Sequence, residues 1–184
     1  MHKKGEWTVK SSSIAYKTPW ITVNEDKVIR PDGKDGIFTT IDILPGVTIF
    51  PLDKDGTIYC SKQFQYALND TMILPGFGGG IEKGEDILEA AKRELREEAG
   101  LIAKNYTSLG YIHSTNSSII DAPNYMFLAE SLEQGEAEWD GGEEIEIFKV
   151  LLKTAVEWVM NGTITHATAQ TIILKAAKII EERS

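Results

Sequence analysis

Three carboxylates in the middle of the chain are spaced to share one face of a helix. Glu94 and Glu98 lie four residues apart, and Glu94 and Glu97 lie three apart, which places all three on one side of a helix. Like charges at these spacings repel and weaken a helix. The cluster makes chemical sense if divalent cations bind among its oxygens, because Mg²⁺ prefers carboxylate and phosphate ligands. For the pair Glu97 and Glu98 alone, a solvated acidic helix face is the alternative.

The spacing of the surrounding residues favours the metal-binding interpretation. The chain matches the pattern G-x5-E-x7-R-E-U-x-E-E-x-G-U, in which U is a bulky aliphatic residue. The matching positions are Gly79, Glu85, Arg93, Glu94, Leu95, Glu97, Glu98, Gly100 and Leu101. This pattern is the signature of the Nudix hydrolases, and the chain strongly resembles that family.

The resemblance implies a fold, a reaction and a cofactor. The fold would be α/β: a Nudix α/β/α sandwich around a mixed sheet, with a small N-terminal β subdomain. The reaction would be hydrolysis of a nucleoside diphosphate linked to another group, with Mg²⁺ or Mn²⁺ as the cofactor.

Family roles carry over to individual residues of the motif. Glu94 and Glu98 match the principal metal ligands, and Glu97 matches a further ligand or a group that activates the attacking water. The backbone carbonyl of Gly78, just before the first motif glycine, would also bind metal. The alternative is that the three glycines at 78–80 form only a flexible turn.

The other motif residues would be structural. Arg93 would hold the loop and the helix together through Glu85. The alternative, an ordinary salt bridge of the helix, implies nearly the same contact. Gly79 belongs to the loop, and Gly100 follows Ala99 as a natural helix stop.

The flanking segments resemble the ADP-ribose pyrophosphatase branch of the family. Residues 62–66 look like that branch's Gln-Tyr-Arg-Tyr segment, and residues 159–168 look like part of its C-terminal helical region. The branch also has an N-terminal β subdomain, usually exchanged between two subunits, so a homodimer follows by analogy. We therefore expect a β subdomain at 1–45 that forms the dimer and a Nudix hydrolase domain at 46–184.

Outside the motif, the resemblance suggests substrate and base contacts. Trp20 and Phe38 match adenine-stacking positions, although burial in a dimer interface or in the β core would also explain them. Gln65 stands where an arginine often contacts phosphate, so we place it among the substrate-binding residues. Glu143 is the candidate for a distal general base or an additional metal ligand, and Glu144 is the second candidate for the same role.

The expected substrate is ADP-ribose, cleaved to AMP and ribose 5-phosphate, but three features depart from the branch. Thr115 replaces a proline that ADP-ribose enzymes commonly have, Gln65 replaces the arginine, and the approach to the motif at 75–78 is about two residues longer than usual. A GDP- or UDP-sugar or another nucleotide is therefore an alternative substrate. A non-catalytic nucleotide-sugar sensor is a second alternative.

Local sequence patterns predict the elements that must position these residues. Residues 86–99 form the clearest helix, because apolar residues recur at helical spacing and Gly100 follows. Asp55-Gly56 indicates a hairpin between 47–52 and 57–63. Further strands are predicted at 7–15, 21–30, 36–44, 108–113, 125–130 and 145–151, and further helices at 153–161 and 167–182. This mixture predicts a mixed α/β fold.

Composition narrows the class of protein. The chain has 184 residues, and 19 Lys and Arg against 28 Asp and Glu give a formal net charge of −9. So acidic a chain has no general attraction for nucleic acid or for an anionic membrane. The single Cys60 cannot form an internal disulfide, which favours a reducing compartment. With no segment of signal-peptide or membrane-spanning pattern, the sequence predicts a cytoplasmic protein.

Overall fold

A computed structural model describes residues 1–113, 117–135 and 146–183 of the chain. Within these ranges the chain forms ten strands and three helices. In chain order they are β1 His2–Lys4, β2 Trp7–Lys17, β3 Thr22–Ile29, β4 Asp35–Asp42, β5 Gly46–Pro51, β6 Thr57–Gln65, β7 Asp70–Pro75, α1 Ile87–Ala99, β8 Leu101–His113, β9 Pro123–Gln134, β10 Glu146–Leu151, α2 Leu152–Met160 and α3 Ala167–Arg183. They divide into two compact units, one of Met1–Leu44 with His113–Pro123 and one of Pro45–Ile112 with the chain from Asn124 onward.

The first unit is a four-stranded antiparallel sheet in the order β1-β2-β3-β4. The turn between β3 and β4 closes with a 2.8 Å hydrogen bond from the Arg30 N–H to the Lys34 carbonyl, and Gly33 supplies the positive φ of 80° that the turn needs. The segment after β8 joins this unit, since the Ile41 N–H donates to the Ile119 carbonyl at 2.8 Å. That segment lies more than 70 residues from β4 in sequence, and local patterns gave no sign of the association.

The second unit has helices on both faces of the β5–β9 pair. These strands run parallel, with Gly46 opposite Asn124, and successive side chains point to opposite faces. Val47 and Ile49 of β5 pack in a core with Leu95 of α1, whereas Phe50 and Leu52 pack in a second core with helices α2 and α3. The arrangement is an α/β/α sandwich, so the predicted mixed α/β fold is confirmed.

The predicted hairpin between 47–52 and 57–63 is wrong as a pairing, although its turn is correct. The Asp53 N–H donates to the Thr57 carbonyl at 2.8 Å, but only Leu52 and Ile58 form a bridge beyond it. Strand β5 instead belongs to the sheet β5-β9-β8, and β6 belongs to the sheet β10-β6-β7. Strand β5 pairs with β9 and not with β6 because both of its faces are buried, so its partner must also lie inside the sandwich.

The helix predictions at 86–99, 153–161 and 167–182 are confirmed to within one residue at each end. Strands β1 and β7 were not predicted, since both are short and neither has an alternating apolar pattern; β1 is exposed throughout, and β7 is exposed only at its first two residues. Cys60 lies in β6 with 0% of its surface exposed, in the core that α2 and α3 cover. Across the described ranges, no helix combines the length and hydropathy that crossing a membrane requires.

Candidate active site

The glycine-rich loop before α1 lies along β5 like an additional strand. Phe77 and Ile49 exchange backbone hydrogen bonds of 2.9 and 2.7 Å, and the Gly79 carbonyl accepts from the Val47 N–H at 2.9 Å. Two polar groups of the loop point instead to α1. The Gly78 N–H donates to Oε2 of Glu98 at 2.8 Å, and the Gly80 carbonyl accepts from Nη2 of Arg93 at 3.1 Å. The loop is therefore fixed to β5 on one side and to the helix on the other.

Two loop positions have no room for a side chain. A Cβ on Gly78 would lie 2.0 Å from the Val47 carbonyl oxygen, and a Cβ on Gly79 would lie 2.5 Å from Oε1 of Glu94. The glycines therefore allow the loop to approach the sheet and the Glu94 carboxylate at the same time. This close approach explains why the motif needs glycine at 79.

Helix α1 begins and ends at residues whose side chains or backbone conformation fix its position. The Asp86 carboxylate caps the N-terminus by accepting from the N–H groups of Leu88 and Glu89 at 2.9 and 3.2 Å. At the other end Gly100 adopts the left-handed conformation, with φ 61° and ψ 29°. The apolar face of the helix is buried against the sheet, and Glu94 on the adjoining face is only 8% exposed.

Arg93 connects the loop, the helix and three carboxylates. Its Nε and Nη2 donate to the two oxygens of Glu85 at 2.8 and 3.0 Å, and Nη1 donates to Glu94 at 2.8 Å and to Glu97 at 3.1 Å. Nη2 also donates to the Gly80 carbonyl at 3.1 Å. A guanidinium has five N–H donors, so each is used by one of these five bonds. One cation therefore holds three anionic groups in place.

The surroundings shift the pKa values of two carboxylates of this cluster in opposite directions. Hydrogen bonds from Arg93 and from the backbone of Glu82 lower the pKa of Glu85 to about 2. Burial raises the pKa of Glu94, against the opposing effect of Arg93. The Glu94 carboxylate thus has little water around it, and a further cation beside it would favour its charged form.

The structure brings most of the motif residues together. Glu85, Glu94, Glu97 and Glu98 gather where α1 meets the glycine loop, through the contacts given above. Among the described residues, no three His, Cys, Asp or Glu side chains already enclose a position for a metal ion, because Glu94 and Glu97 turn towards Arg93. The donor set nevertheless fits Mg²⁺ or Mn²⁺, because the donors are hard oxygens and the Glu94 carboxylate is buried against a loop that carries no side chain at Gly79.

The residues expected to contact substrate lie elsewhere. Gln65 ends β6, and its carbonyl closes the following turn by accepting from the Leu68 N–H at 3.0 Å. Trp20 lies in the turn before β3 with 78% of its surface exposed. Phe38 in β4 packs edge-to-face against Trp7, with ring centroids 5.3 Å apart. Glu143, Glu144 and Thr115 lie outside the described residues.

Sequence reasoning missed a polar pair beside the glycine loop. Oγ1 of Thr48 donates to Oδ1 of Asn124 at 2.9 Å, and a Cβ on Gly46 would lie 2.8 Å from Nδ2 of Asn124. The parallel pairing of β5 with β9 brings these residues together over 76 positions of sequence. No short-range signal could have found them.

Comparison with known proteins identifies the family that this site and fold define. Residues 42–166 match the NUDIX domain, and residues 7–41 match the nucleoside diphosphate sugar hydrolase N-terminal domain. The first match spans more than half of the chain, so the chain belongs to the Nudix hydrolase family, as its motif predicted. Within that family it is an ADP-ribose pyrophosphatase-like hydrolase.

Individual relatives are consistent with this placement. The chain is 32% identical to the ADP-ribose pyrophosphatase of Bacillus subtilis (strain 168) over 145 residues, which is 77% of each protein. It is 24% identical over 162 residues to the methanol dehydrogenase activator of Bacillus methanolicus, covering 86% of this chain and 85% of that protein. A crystal structure of an ADP compounds hydrolase superposes with a TM-score of 0.84 at 16% identity, covering 100% of this chain and 99% of that one. At that identity the last comparison bears on the fold alone.

Proposed function

We propose that this protein hydrolyses the diphosphate linkage of ADP-ribose and releases AMP and ribose 5-phosphate. The observation that carries the proposal is the gathering of Glu85, Glu94, Glu97 and Glu98 around Arg93 and the glycine loop. The match of residues 7–41 to an N-terminal domain of nucleoside diphosphate sugar hydrolases supports a nucleotide sugar as the substrate class. The 32% identical ADP-ribose pyrophosphatase supports the choice of base and sugar.

The residues of the cluster would have different roles in binding metal, in taking up the proton and in positioning the carboxylates. Glu94, Glu98 and the Gly78 carbonyl would hold divalent cations, with Glu97 as a further ligand. Bound Mg²⁺ or Mn²⁺ would neutralise the diphosphate and polarise the phosphorus. Glu97 or Glu143 would take the proton of the attacking water. Arg93 would position Glu94 and Glu97 without contacting substrate, and Gly79 would leave room for the Glu94 carboxylate.

The proposed substrate contacts lie outside the cluster. Trp20 and Phe38 would stack on the base, and Gln65 would donate to a phosphate oxygen as a single donor in place of a bidentate one. Support for the two aromatics is their position in the N-terminal nucleoside diphosphate sugar hydrolase region.

Product analysis tests the proposal. The purified protein is incubated with ADP-ribose, GDP-mannose and UDP-glucose, with Mg²⁺ or Mn²⁺ and then with EDTA, and products are identified by mass spectrometry. We expect AMP and ribose 5-phosphate from ADP-ribose only with metal, and a loss of at least about 100-fold in kcat for Glu98→Gln. Glu89→Gln is the matched control, because Glu89 is an exposed acid of the same helix paired with Lys92. Unchanged turnover in Glu98→Gln would rule out the assigned site.

We also propose that the protein is a cytoplasmic homodimer formed through the first unit. Large apolar side chains of that unit are exposed, among them Ile14, Tyr16, Trp20, Ile37 and Leu44, and exposed apolar surface is typical of an interface. The single Cys60 is buried and cannot form an internal disulfide, which supports a reducing compartment. Light scattering coupled to size exclusion should give twice the chain mass of 20.4 kDa, and a monomer at micromolar concentration would contradict the dimer.

A further inference from the structure

The bonded pair of Thr48 and Asn124 lies on the face of β5 that points away from helix α1. Val47 and Ile49, the neighbours of Thr48 in β5, pack in the core that α1 covers, and successive side chains of a strand point to opposite faces. Oγ1 of Thr48 donates to Oδ1 of Asn124 at 2.9 Å, and both residues are only partly buried. The pair therefore meets the glycine loop from the side opposite to α1.

Thr48 lies against two glycines of the loop. A Cβ on Gly78 would lie 2.9 Å from Cα of Thr48, and a Cβ on Gly76 would lie 3.4 Å from Cγ2 of Thr48. The loop can approach this closely only because Gly78 has no side chain. A β-branched residue has few χ1 rotamers, and the hydrogen bond to Asn124 selects one of them. The Thr48 side chain is thus a fixed surface beneath residues 76–78.

Asn124 meets the other end of the loop across Gly46. A Cβ on Gly46 would lie 2.8 Å from Nδ2 of Asn124 and 3.3 Å from the Gly79 carbonyl oxygen. Gly46 also forms an antiparallel bridge with Gly80. The Asn124 amide therefore occupies the space that Gly46 leaves, next to the point where the loop is bonded to β5. Because Thr48 holds Oδ1, the amide cannot rotate without losing that bond.

Gly78 lies between these two points of contact. Its N–H donates to Oε2 of Glu98 at 2.8 Å, and its carbonyl is one of the proposed metal ligands. A shift of the loop on β5 would therefore displace a carbonyl ligand and disturb a carboxylate ligand together. Divalent cations bind such oxygens within narrow ranges of distance, so the position of the loop matters for their affinity.

We propose that the hydrogen bond between Thr48 and Asn124 fixes the glycine loop on β5 and thereby holds the Gly78 carbonyl in place for a divalent cation. Both are positioning residues, since they act through the loop and contact no metal. The inference rests on the metal site of the proposed function and deepens it by naming what orients one ligand. Removing groups that orient metal ligands typically lowers metal affinity 10- to 100-fold.

Binding of Mn²⁺ without substrate tests the inference. Electron paramagnetic resonance measures free Mn²⁺ in a titration of the purified protein. Thr48→Val removes the hydroxyl at nearly constant volume and should raise the Mn²⁺ dissociation constant about 10-fold. Thr48→Ser keeps the hydroxyl and should bind Mn²⁺ within about twofold of the wild-type protein.

Thr57→Val is the matched control. Thr57 is also partly buried, and its hydroxyl donates to Oδ1 of Asp55 at 2.6 Å in the turn before β6. This variant should keep the wild-type Mn²⁺ affinity, and circular dichroism checks that each variant is folded. If Thr48 had only a structural role, Thr48→Val would lower the thermal midpoint without metal and leave the Mn²⁺ dissociation constant unchanged, which would overturn the inference.

A double variant tests whether the two residues act as one unit. Thr48→Val combined with Asn124→Ala should bind Mn²⁺ as Asn124→Ala alone does, because the Thr48 hydroxyl then has no amide to hold. Additive losses of affinity in the double variant would overturn the inference. So would a wild-type protein that binds no Mn²⁺.

Failure of the proposed reaction gives a different result. If the protein binds Mn²⁺ but does not hydrolyse ADP-ribose, the proposed substrate is wrong, and the Mn²⁺ affinities of the variants still decide the role of the pair. If it does hydrolyse ADP-ribose, the Mn²⁺ concentration for half-maximal rate should rise about 10-fold in Thr48→Val, while kcat at saturating metal stays within about threefold of wild type. A lower kcat with an unchanged half-maximal concentration would contradict the assigned role.

Discussion

Among single residues, Arg93 has the largest number of connections in the candidate site. Its bonds to Glu85, Glu94, Glu97 and Gly80 require the planar fork of a guanidinium. A lysine at this position keeps the charge, but it has three donors on one nitrogen and cannot reach all of these acceptors together.

We therefore expect Arg93→Lys to lower both stability and activity, although it keeps the positive charge. The thermal midpoint should fall by at least about 3 °C, and kcat for ADP-ribose should fall about tenfold or more because Glu94 and Glu97 lose their orientation. Arg96→Lys is the control, since Arg96 reaches Glu97 only at 3.7 Å and is half exposed. Equal midpoints for the two variants in differential scanning fluorimetry would contradict this reading of Arg93.

Among the elements, helix α3 has a hydrogen bond at its N-terminus that depends on pH. Nδ1 of His166 accepts from the Ala169 N–H at 3.4 Å at the N-terminus of the helix, where only the neutral imidazole can accept. Partial burial lowers the pKa of His166, and the positive end of the helix dipole also disfavours the charged ring.

This cap predicts a loss of stability in acid. Above an unfolded-state pKa of about 6.5, the ring is neutral in both states and the cap is complete. As the pH falls below that value, the unfolded chain takes up the proton first, so the free energy of unfolding decreases until the lower pKa of the folded state is passed. His166→Asn keeps a capping oxygen and should flatten the urea-derived stability curve between about pH 6.5 and 5, whereas His2→Asn, at an exposed position, should leave it as in the wild type. A curve for His166→Asn as steep as the wild-type curve would exclude the cap as the source.

The elements also show which parts of the fold the sequence could predict. Helix α1 was predictable because its stripe of Ala91 and Leu95 and its stop at Gly100 are local, and the motif residues of the site came with it. The association of β5 with β9, the packing of 117–123 with the first unit and the contact of Trp7 with Phe38 join distant residues. Nothing local encodes such contacts, because each depends on which buried faces remain to be covered once the helices are placed.

For the whole molecule, the net charge predicts that substrate binding depends on cations. A protein with a formal charge of −9 repels a diphosphate, and the carboxylates of the cluster outnumber Arg93. A bound divalent cation should therefore stabilise the folded protein, by about 2.7 kcal/mol when its concentration is 100 times the dissociation constant.

We expect Mg²⁺ or Mn²⁺ to raise the thermal midpoint and EDTA to reverse the change, without any substrate present. Glu94→Gln and Glu98→Gln should each lose most of the shift, because a neutral amide is a weaker ligand than a carboxylate. Glu89→Gln should retain it, since Glu89 pairs with Lys92 on the exposed side of α1. The same shift in all four proteins would place the cation away from the proposed cluster.

The burial of Cys60 makes the thiol a reporter of breathing motions on one side of the sandwich. Burial raises its pKa to about 12, and the thiolate is the form that reacts with alkylating reagents. Labelling must therefore wait until β6 separates from α2 and α3, and its rate measures how often that layer opens. The core that α1 covers is a different one. Comparing the labelling rate with and without divalent cations therefore shows whether a cation bound beside α1 slows the opening of the layer on the opposite face of the sheet.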